Sequence, residues 1–123
     1  MHRTFLRAKL HRVTVTAADL HYEGSVSIDR DLCRAAGLLE FEQVDIYDIT
    51  NGVRFTTYVI YGSTGQIQIN GAAANIVDVG DRVIIAAYTA LLPEEIAAHR
   101  VKVVQVDDHN HATAIQEAGV GEP

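Results

Sequence analysis

The sequence predicts a mainly β fold, a small β-barrel with short helices. Six or seven short segments alternate in polarity as strands do, turn residues separate them, and few stretches are typical of helix. A chain of 123 residues fits one domain. With 48% apolar residues it can bury a real though modest core, so association with further copies would add stability.

The expected elements follow one another in order along the chain. Strands are expected at residues 3–16, 26–28, 42–50, 53–60, 66–69, 82–90 and 101–106, with a turn over 17–22. Asp29 can cap a short helix over 30–36, and Gly37 is suited to end it in the left-handed conformation. Shorter helical segments are expected at 72–75 and from Pro93 onward.

Two local patterns predict a shared side-chain direction and a strand pairing. In the first strand Lys9 and His11 have the same parity, so they should face the same way if the strand is regular. Asn51-Gly52 is the strongest hairpin signal in the chain, because both residues tolerate positive φ. It predicts that the strands on either side of it pair with each other.

The barrel domain is expected to span residues 1–106, and residues 107–123 are expected to form a flexible tail. After Asp107 the chain becomes polar and small, and it ends in glycine-rich sequence. His109 and His111 lie in this tail without a carboxylate arrangement typical of a metal site, so we interpret them as solvated. No metal is expected anywhere in the chain.

Charge and composition exclude several classes of protein. The formal net charge of −6 argues against a protein that follows nucleic-acid phosphates. Basic residues nevertheless crowd the first twelve positions and suit a small anionic ligand, among them Arg3, Arg7, Lys9, His11 and Arg12. No apolar run approaches the roughly 20 residues that cross a bilayer, and the charged N-terminus lacks a signal-peptide core. We therefore expect a cytoplasmic protein that binds neither nucleic acid nor membrane. The single Cys33 excludes an intrachain disulfide and is interpreted as a small core residue.

A set of short motifs identifies a family when it is considered in order. A Gly-Ser pair alone is usually a turn, but here it stands in a longer series of motifs. The series runs Lys9-Leu10-His11-Arg12, Tyr22-Glu23-Gly24-Ser25, Asn51-Gly52, Arg54-Phe55-Thr56-Thr57-Tyr58 and Asn70-Gly71-Ala72-Ala73-Ala74. Over roughly residues 1–106 this order resembles the aspartate 1-decarboxylases, pyruvoyl enzymes that convert L-aspartate to β-alanine and CO₂ for pantothenate and coenzyme A biosynthesis. The resemblance implies a double-psi β-barrel assembled as a homotetramer.

The resemblance also implies how the cofactor arises. In the family the bond matching Gly24–Ser25 cuts itself: the serine hydroxyl attacks the glycine carbonyl, β-elimination follows, and hydrolysis leaves a pyruvoyl group at position 25. Loss of CO₂ from an α-carbon leaves a carbanion that needs an electron sink, and no ordinary side chain supplies one. The pyruvoyl group would supply it through a Schiff base with the substrate, and the sequence shows no machinery for pyridoxal phosphate. The resemblance leaves open whether a maturation factor is needed for cleavage.

The family roles fall on four polar residues. By resemblance, Arg54 holds a substrate carboxylate, which its planar fork suits, and Lys9 is a second cation of the same site. Thr57 matches the residue that assists the acyl shift and also contacts substrate. Tyr58 matches the acid that protonates the α-carbon after CO₂ leaves.

The remaining site residues are less sharply defined. Asn70, Gly71, Ala72 and Ala73 match the segment that lies against the pyruvoyl group and substrate, where small side chains let backbone N–H groups approach. His11 could orient a carboxylate or simply pack. Tyr22 could line the pocket or support the new chain end at Gly24, and packing is an equal alternative.

Two other functions stay open on the sequence alone. A non-catalytic barrel could bind an anionic metabolite or a protein partner through its basic first strand, and it would not cleave itself. A small dimeric β-barrel DNA-binding regulator has similar strands, but the net charge speaks against it. Aspartate and glutamate differ by one methylene, a difference worth only about 1–3 kcal/mol, so the sequence does not decide between them as substrates.

Overall fold

The fold is known from a computed structural model, and the structure describes residues 1–122. Across these residues the strands are β1 (Arg3–Thr14), β2 (Ala17–Asp19), β3 (Ser25–Asp29), β4 (Gln43–Asp48), β5 (Arg54–Gly62), β6 (Ile67–Asn70), β7 (Arg82–Leu91), β8 (Arg100–Val106) and β9 (Ala112–Gly119). One α-helix, α1 (Arg30–Ala36), and two 3₁₀ helices, Gly71–Asn75 and Pro93–Ala98, complete the described part. No helix within residues 1–122 is long and apolar enough to cross a bilayer.

All the strands join one sheet in the order β2-β6-β3-β5-β4-β7-β1-β8-β9. The pairs β1·β8, β2·β6 and β3·β5 are parallel, and the other neighbours are antiparallel. The core contains the largest fully buried side chains, Leu10, Val13, Val15, Val26, Ile28, Leu32, Val44, Ile46, Val59, Ile67, Ile69 and Ile85. The predicted class, a mainly β and small barrel-like fold, is confirmed.

The helix α1 begins and ends as its sequence predicts. The Asp29 carboxylate accepts the Asp31 N–H at 2.7 Å, and its other oxygen accepts the Gly65 N–H at 2.8 Å, which ties the helix start to a loop. Gly37 ends the helix with φ of 74°. Cys33 is buried on the core side, and burial followed by the Asp29 charge raises the pKa of its thiol to about 12. It is therefore an inert core residue.

The first strand has two irregularities in its pairing with β7, one between Leu6 and Ala8 and one between Leu10 and Val13. Ala8 and Leu10 are buried while Lys9 and His11 are half-buried on the opposite side, as their shared parity predicts. Arg12 has φ of 64°, and the register with β7 shifts between Leu10 and Val13. This bulge returns Val13 to the core.

The β4–β5 hairpin differs from its prediction in register. Strand β4 ends at Asp48 instead of residue 50, and Tyr47 pairs with Arg54. The loop is longer because the Asp48 carboxylate accepts the N–H groups of Thr50 and Asn51, at 2.8 and 3.3 Å, and so turns the chain before Asn51-Gly52 is reached. In that pair only Gly52 has positive φ, 81°.

Two strands lie where the sequence predicted none. Residues 17–19, expected as a turn, form β2 in parallel with β6. Residues 112–119, expected in a flexible tail, form β9 along β8, so the expectation of no regular structure after Asp107 is wrong for this segment. The turn between β8 and β9 is anchored by buried Asn110, whose side-chain amide bonds the backbone of Thr14 and the Gly65 carbonyl at 2.8 to 3.0 Å.

Candidate active site

Ser25 begins β3 between β6 and β5, and its hydroxyl is buried and doubly hydrogen-bonded. Only 1% of the residue is exposed. Its Oγ donates to the Glu23 carbonyl at 2.9 Å and accepts from Nδ2 of Asn70 at 2.9 Å. The hydroxyl is thus held beside the backbone that leads into the Gly24–Ser25 bond.

A ladder of amides along β6 orients Asn70. Its Oδ1 accepts from Nε2 of Gln68 at 2.8 Å, so Nδ2 points the other way and donates to both Ser25 and Ser27. Asn70 is 2% exposed. The sequence predicted Asn70 but missed Gln68, although its alternation with Asn70 along the strand was a usable signal.

Gly71 lies against the predicted scissile bond. Its φ is 79°, and a Cβ built on it would lie 2.7 Å from the Cα of Gly24 and 3.4 Å from the Tyr22 carbonyl oxygen. Only glycine allows this approach. Gly24 itself has open space where a Cβ would stand. Asn70 and Gly71 therefore lie next to the Gly24–Ser25 bond, and Ala72 and Ala73 follow them in the 3₁₀ helix.

The strand registers place most predicted site residues on the outer face of the sheet. Residues paired across neighbouring strands point to the same side. Thr56 pairs with Asp45, Asp45 with Ala86 and Ala86 with Lys9, so one row crosses β5, β4, β7 and β1. Arg54 lies two residues from Thr56 on the same face. Thr57 has the opposite parity, and its hydroxyl makes no hydrogen bond in the described part of the chain.

A second row on the same face contains the serine. Ser25 pairs with Asn70 across β3 and β6. The parallel register of Val26 with Val59 places the preceding residues, Ser25 and Tyr58, at the same end of the β3·β5 pair. The sheet therefore brings the candidate proton donor next to the candidate cofactor position.

Lys9 is remote from Ser25 within one chain. Four steps along the sheet separate β1 from β3, and at about 4.8 Å per strand their backbones are on the order of 19 Å apart along it. No hydrogen bond or ion pair within residues 1–122 joins Lys9 or Arg54 to the Ser25–Asn70 pair. The strand pairing of one chain therefore does not bring Lys9 next to Ser25.

Arg54 is held by an aromatic ring. Its guanidinium carbon lies 4.1 Å from the centroid of Tyr47, its partner across β4 and β5. The Tyr47 hydroxyl is 2.5 Å from that of Tyr88 and donates to Asp45 at 3.4 Å. The hydrogen bond with Tyr47, followed by burial, raises the pKa of Tyr88 to about 12. Among the described residues Arg54 forms no ion pair. The sequence missed Tyr47 and Tyr88, because their role depends on the hairpin register.

Tyr58 borders an open hollow of about 560 Å³ that is lined also by Phe41, Gln43, Thr56 and Thr57. The Phe41 and Tyr58 ring centroids are 6.4 Å apart. Phe41 is 70% exposed and has φ of 72°, unusual for an aromatic residue. The hollow gives a small molecule access to the Tyr58 side chain.

His11 carries a buried ring nitrogen without a partner. Its Nδ1 makes no hydrogen bond to any residue of 1–122. Burial lowers its pKa below the ordinary value, and the charges of Lys9 and Arg12 lower it further. The ring is therefore neutral at neutral pH. Tyr22 is 53% exposed, and its carbonyl rather than its ring lies against Gly71.

Comparison with known proteins identifies the family of the chain. A family model described as aspartate decarboxylase matches residues 1–113. The chain belongs to this family. The match reaches beyond residue 106, the predicted end of the resemblance, and includes the start of β9.

Several members of the aspartate decarboxylase family are similar to the chain over nearly their whole length. An aspartate 1-decarboxylase of Bordetella avium (strain 197N) is 55% identical over 119 residues, covering 95% of this chain and 98% of that protein. One of Maricaulis maris (strain MCS10) is 52% identical over 120 residues, with 96% and 99% covered. One of Cupriavidus necator is 50% identical over 119 residues, with 95% and 99% covered. The family membership therefore applies to nearly the whole chain.

Proposed function

We propose that the chain cuts its own Gly24–Ser25 bond and then decarboxylates L-aspartate to β-alanine and CO₂ with a pyruvoyl group formed from Ser25. The observation that supports this most directly is the buried Ser25 hydroxyl, held by Glu23 and Asn70 beside a bond that Gly71 approaches closely. The names of the relatives support the substrate.

The proposed cleavage begins with the Ser25 hydroxyl. Its Oγ bonds to the Gly24 carbonyl carbon, the C–N bond breaks, and the hydroxyl proton moves to the Ser25 nitrogen, which leaves an ester. Loss of the Cα proton then expels the Gly24 carboxylate and leaves dehydroalanine at position 25. Addition of water and release of ammonia produce the pyruvoyl group. Thr57 is proposed to donate to the oxygen that gains charge in the first step.

The residues around position 25 fit a pyruvoyl group. Asn70 offers an Nδ2 donor 2.9 Å from the oxygen that position 25 carries now, and the glycines at 24 and 71 add no side chain beside it. When present, the group supplies the electron sink for the carbanion that CO₂ loss creates. The segment Asn70–Ala73 would hold it in place.

Substrate binding is assigned to the outer face. Arg54 binds a carboxylate with its fork, and Tyr58, next to position 25, delivers a proton to the α-carbon. We propose that Lys9 comes from another subunit, since four steps along the sheet separate its own strand from its own Ser25. We therefore propose a homotetramer whose active sites are shared between subunits. In the cytoplasm it would supply β-alanine for pantothenate biosynthesis.

Intact-mass spectrometry tests the cleavage. We expect the purified chain to yield a fragment of residues 1–24 and a fragment that begins with a modified residue 25. Ser25→Ala should stay at full length and have no turnover. Ser27→Ala is the matched control: it removes the other hydroxyl bonded to Asn70 and should still split. A wild-type chain that stays intact, with and without cell extract to supply a maturation factor, would overturn the proposal.

Turnover with pure amino acids tests the reaction. The split protein should release CO₂ from L-aspartate faster than from L-glutamate, and borohydride should trap an aspartate adduct on residue 25. A split protein that turns over neither acid would contradict the decarboxylase assignment while leaving self-cleavage standing.

A further inference from the structure

Arg54 is the candidate carboxylate ligand, yet a competing carboxylate lies within its own hairpin. Asp45 pairs with Thr56, and Arg54 pairs with Tyr47, so Asp45 and Arg54 are diagonal neighbours on the same face. Such neighbours are about 7–8 Å apart at the backbone, within reach of an arginine side chain. An Arg54–Asp45 ion pair would occupy the guanidinium and weaken any anion site there.

The structure instead keeps this pair apart. Asp45 Oδ1 accepts the Thr56 hydroxyl at 2.7 Å, and Oδ2 accepts the Tyr47 hydroxyl at 3.4 Å. The same Tyr47 hydroxyl lies 2.5 Å from the hydroxyl of Tyr88. Both Asp45 oxygens are therefore engaged by hydroxyl groups while the guanidinium rests on the ring of Tyr47.

We propose that Tyr47 is a positioning residue for the carboxylate site: its ring holds the Arg54 guanidinium, and its hydroxyl, supported by Tyr88, keeps Asp45 from pairing with Arg54. This rests on the proposed function, in which Arg54 binds the substrate carboxylate. A flexible arginine that is already ordered by stacking loses less conformational freedom when a ligand binds. The arrangement favours a small dicarboxylate at Arg54 over the internal carboxylate of Asp45.

A double-mutant experiment separates the ring from the hydroxyl. Tyr47→Leu removes both functions and should raise KM for aspartate about tenfold, the upper range for loss of a stacked cation, with kcat little changed. Tyr47→Phe keeps the ring but frees Asp45, so KM should rise as Asp45 competes. Adding Asp45→Asn to Tyr47→Phe should bring KM back toward wild type, a rescue that a merely structural role for Tyr47 would not produce.

Tyr61→Leu is the matched control, because Tyr61 carries the other stacked arginine, Arg30, at 4.9 Å. It should leave KM unchanged. Binding of succinate, an unreactive dicarboxylate, measured by calorimetry, should follow the same order as KM. The inference fails if wild type is active but Tyr47→Leu leaves KM and succinate affinity unchanged, or if Asp45→Asn does not rescue Tyr47→Phe. If the wild type itself does not decarboxylate aspartate, the proposed function is contradicted instead.

Discussion

Gly71 meets two constraints, a positive φ and a close approach to the Gly24 backbone. Its φ is 79°, and its missing Cβ leaves room for the Gly24 Cα, which would lie 2.7 Å from a Cβ built on Gly71. Gly71→Ala should therefore cost about 1–3 kcal/mol of stability and should also displace the Gly24–Ser25 bond from its position. The expected outcome is slow or absent cleavage, measured as the rate of appearance of the 1–24 fragment.

Gly80→Ala controls for the backbone strain alone. Gly80 has φ of 97° but nothing within 4 Å of a built Cβ. The Gly80→Ala variant should lose a similar amount of stability and still cleave at the wild-type rate. Equal cleavage rates in the two variants would show that the close approach at Gly71 is irrelevant to the reaction.

Asn70 and Gln68 show the limit of residue-level prediction. Asn70 could be singled out because it belongs to a recognisable ordered motif. Gln68 matters only because its amide reaches Asn70 Oδ1 along the same strand face and so decides which way Asn70 donates. That role depends on side-chain directions in the folded strand.

At the level of elements, the β4–β5 hairpin is joined to the loop before β7 by two buried acids. Asp48 is 2% exposed and Asp81 is 6% exposed. Burial and the hydrogen bond to Asp81 raise the pKa of Asp48, while the hydrogen bonds from Asp48 and from the Asp78 N–H lower the pKa of Asp81. Asp48 Oδ2 is buried and has no hydrogen-bond partner within residues 1–122, so we expect Asp48 to hold a proton that it shares with Asp81.

The pair predicts a pH dependence of stability with a definite sign. The contribution of Asp48 is complete below its ordinary pKa and is lost as pH rises through its raised pKa. The contribution of Asp81 is present above its ordinary pKa and is lost as pH falls through its lowered one. Asp48→Asn mimics the protonated acid at every pH. Its melting temperature minus that of wild type should therefore increase as pH rises from about 4 to 7.

The measurement is a series of thermal melts of both proteins across that range. Asp78→Asn is the control, since Asp78 is an exposed acid in the same loop, and its difference from wild type should not change with pH. A constant difference for Asp48→Asn would show that the two acids do not share a proton.

The element prediction failed where a strand has no buried face. Most side chains of β9 are exposed, so its sequence shows no apolar alternation, and only its backbone hydrogen bonds to β8 make it a strand. The three residues of β2 form a strand only because β6, some fifty residues away, lies beside them. A polarity pattern in the sequence reveals a strand only when one face of that strand is buried. Neither β2 nor β9 forms because of such a buried face.

For the whole molecule, the distance between Lys9 and Ser25 predicts shared active sites. Several large apolar side chains lie exposed on the single chain, among them Met1, Leu39, Phe41 and Val79, a surface that association would cover. We expect a native mass of about four times the 13.4 kDa chain in sedimentation. Co-expressed Lys9→Ala and Ser25→Ala chains, each inactive alone, should regain part of the activity in mixed assemblies. Mixed assemblies that stay inactive would place Lys9 and residue 25 in the same chain's site.

The sequence by itself determined the mainly β class, the capped helix, the shared strand face of Lys9 and His11, and the ordered motifs that indicate the family. These follow from local rules of period, capping and residue type, which act within a few positions of the chain. Only the tertiary structure decided the hairpin register that stacks Arg54 on Tyr47, the burial of Asp48 and Asp81, and the separation of Lys9 from Ser25 along the sheet. Each of these depends on which distant strands become neighbours, and that is settled by burial of the whole core at once.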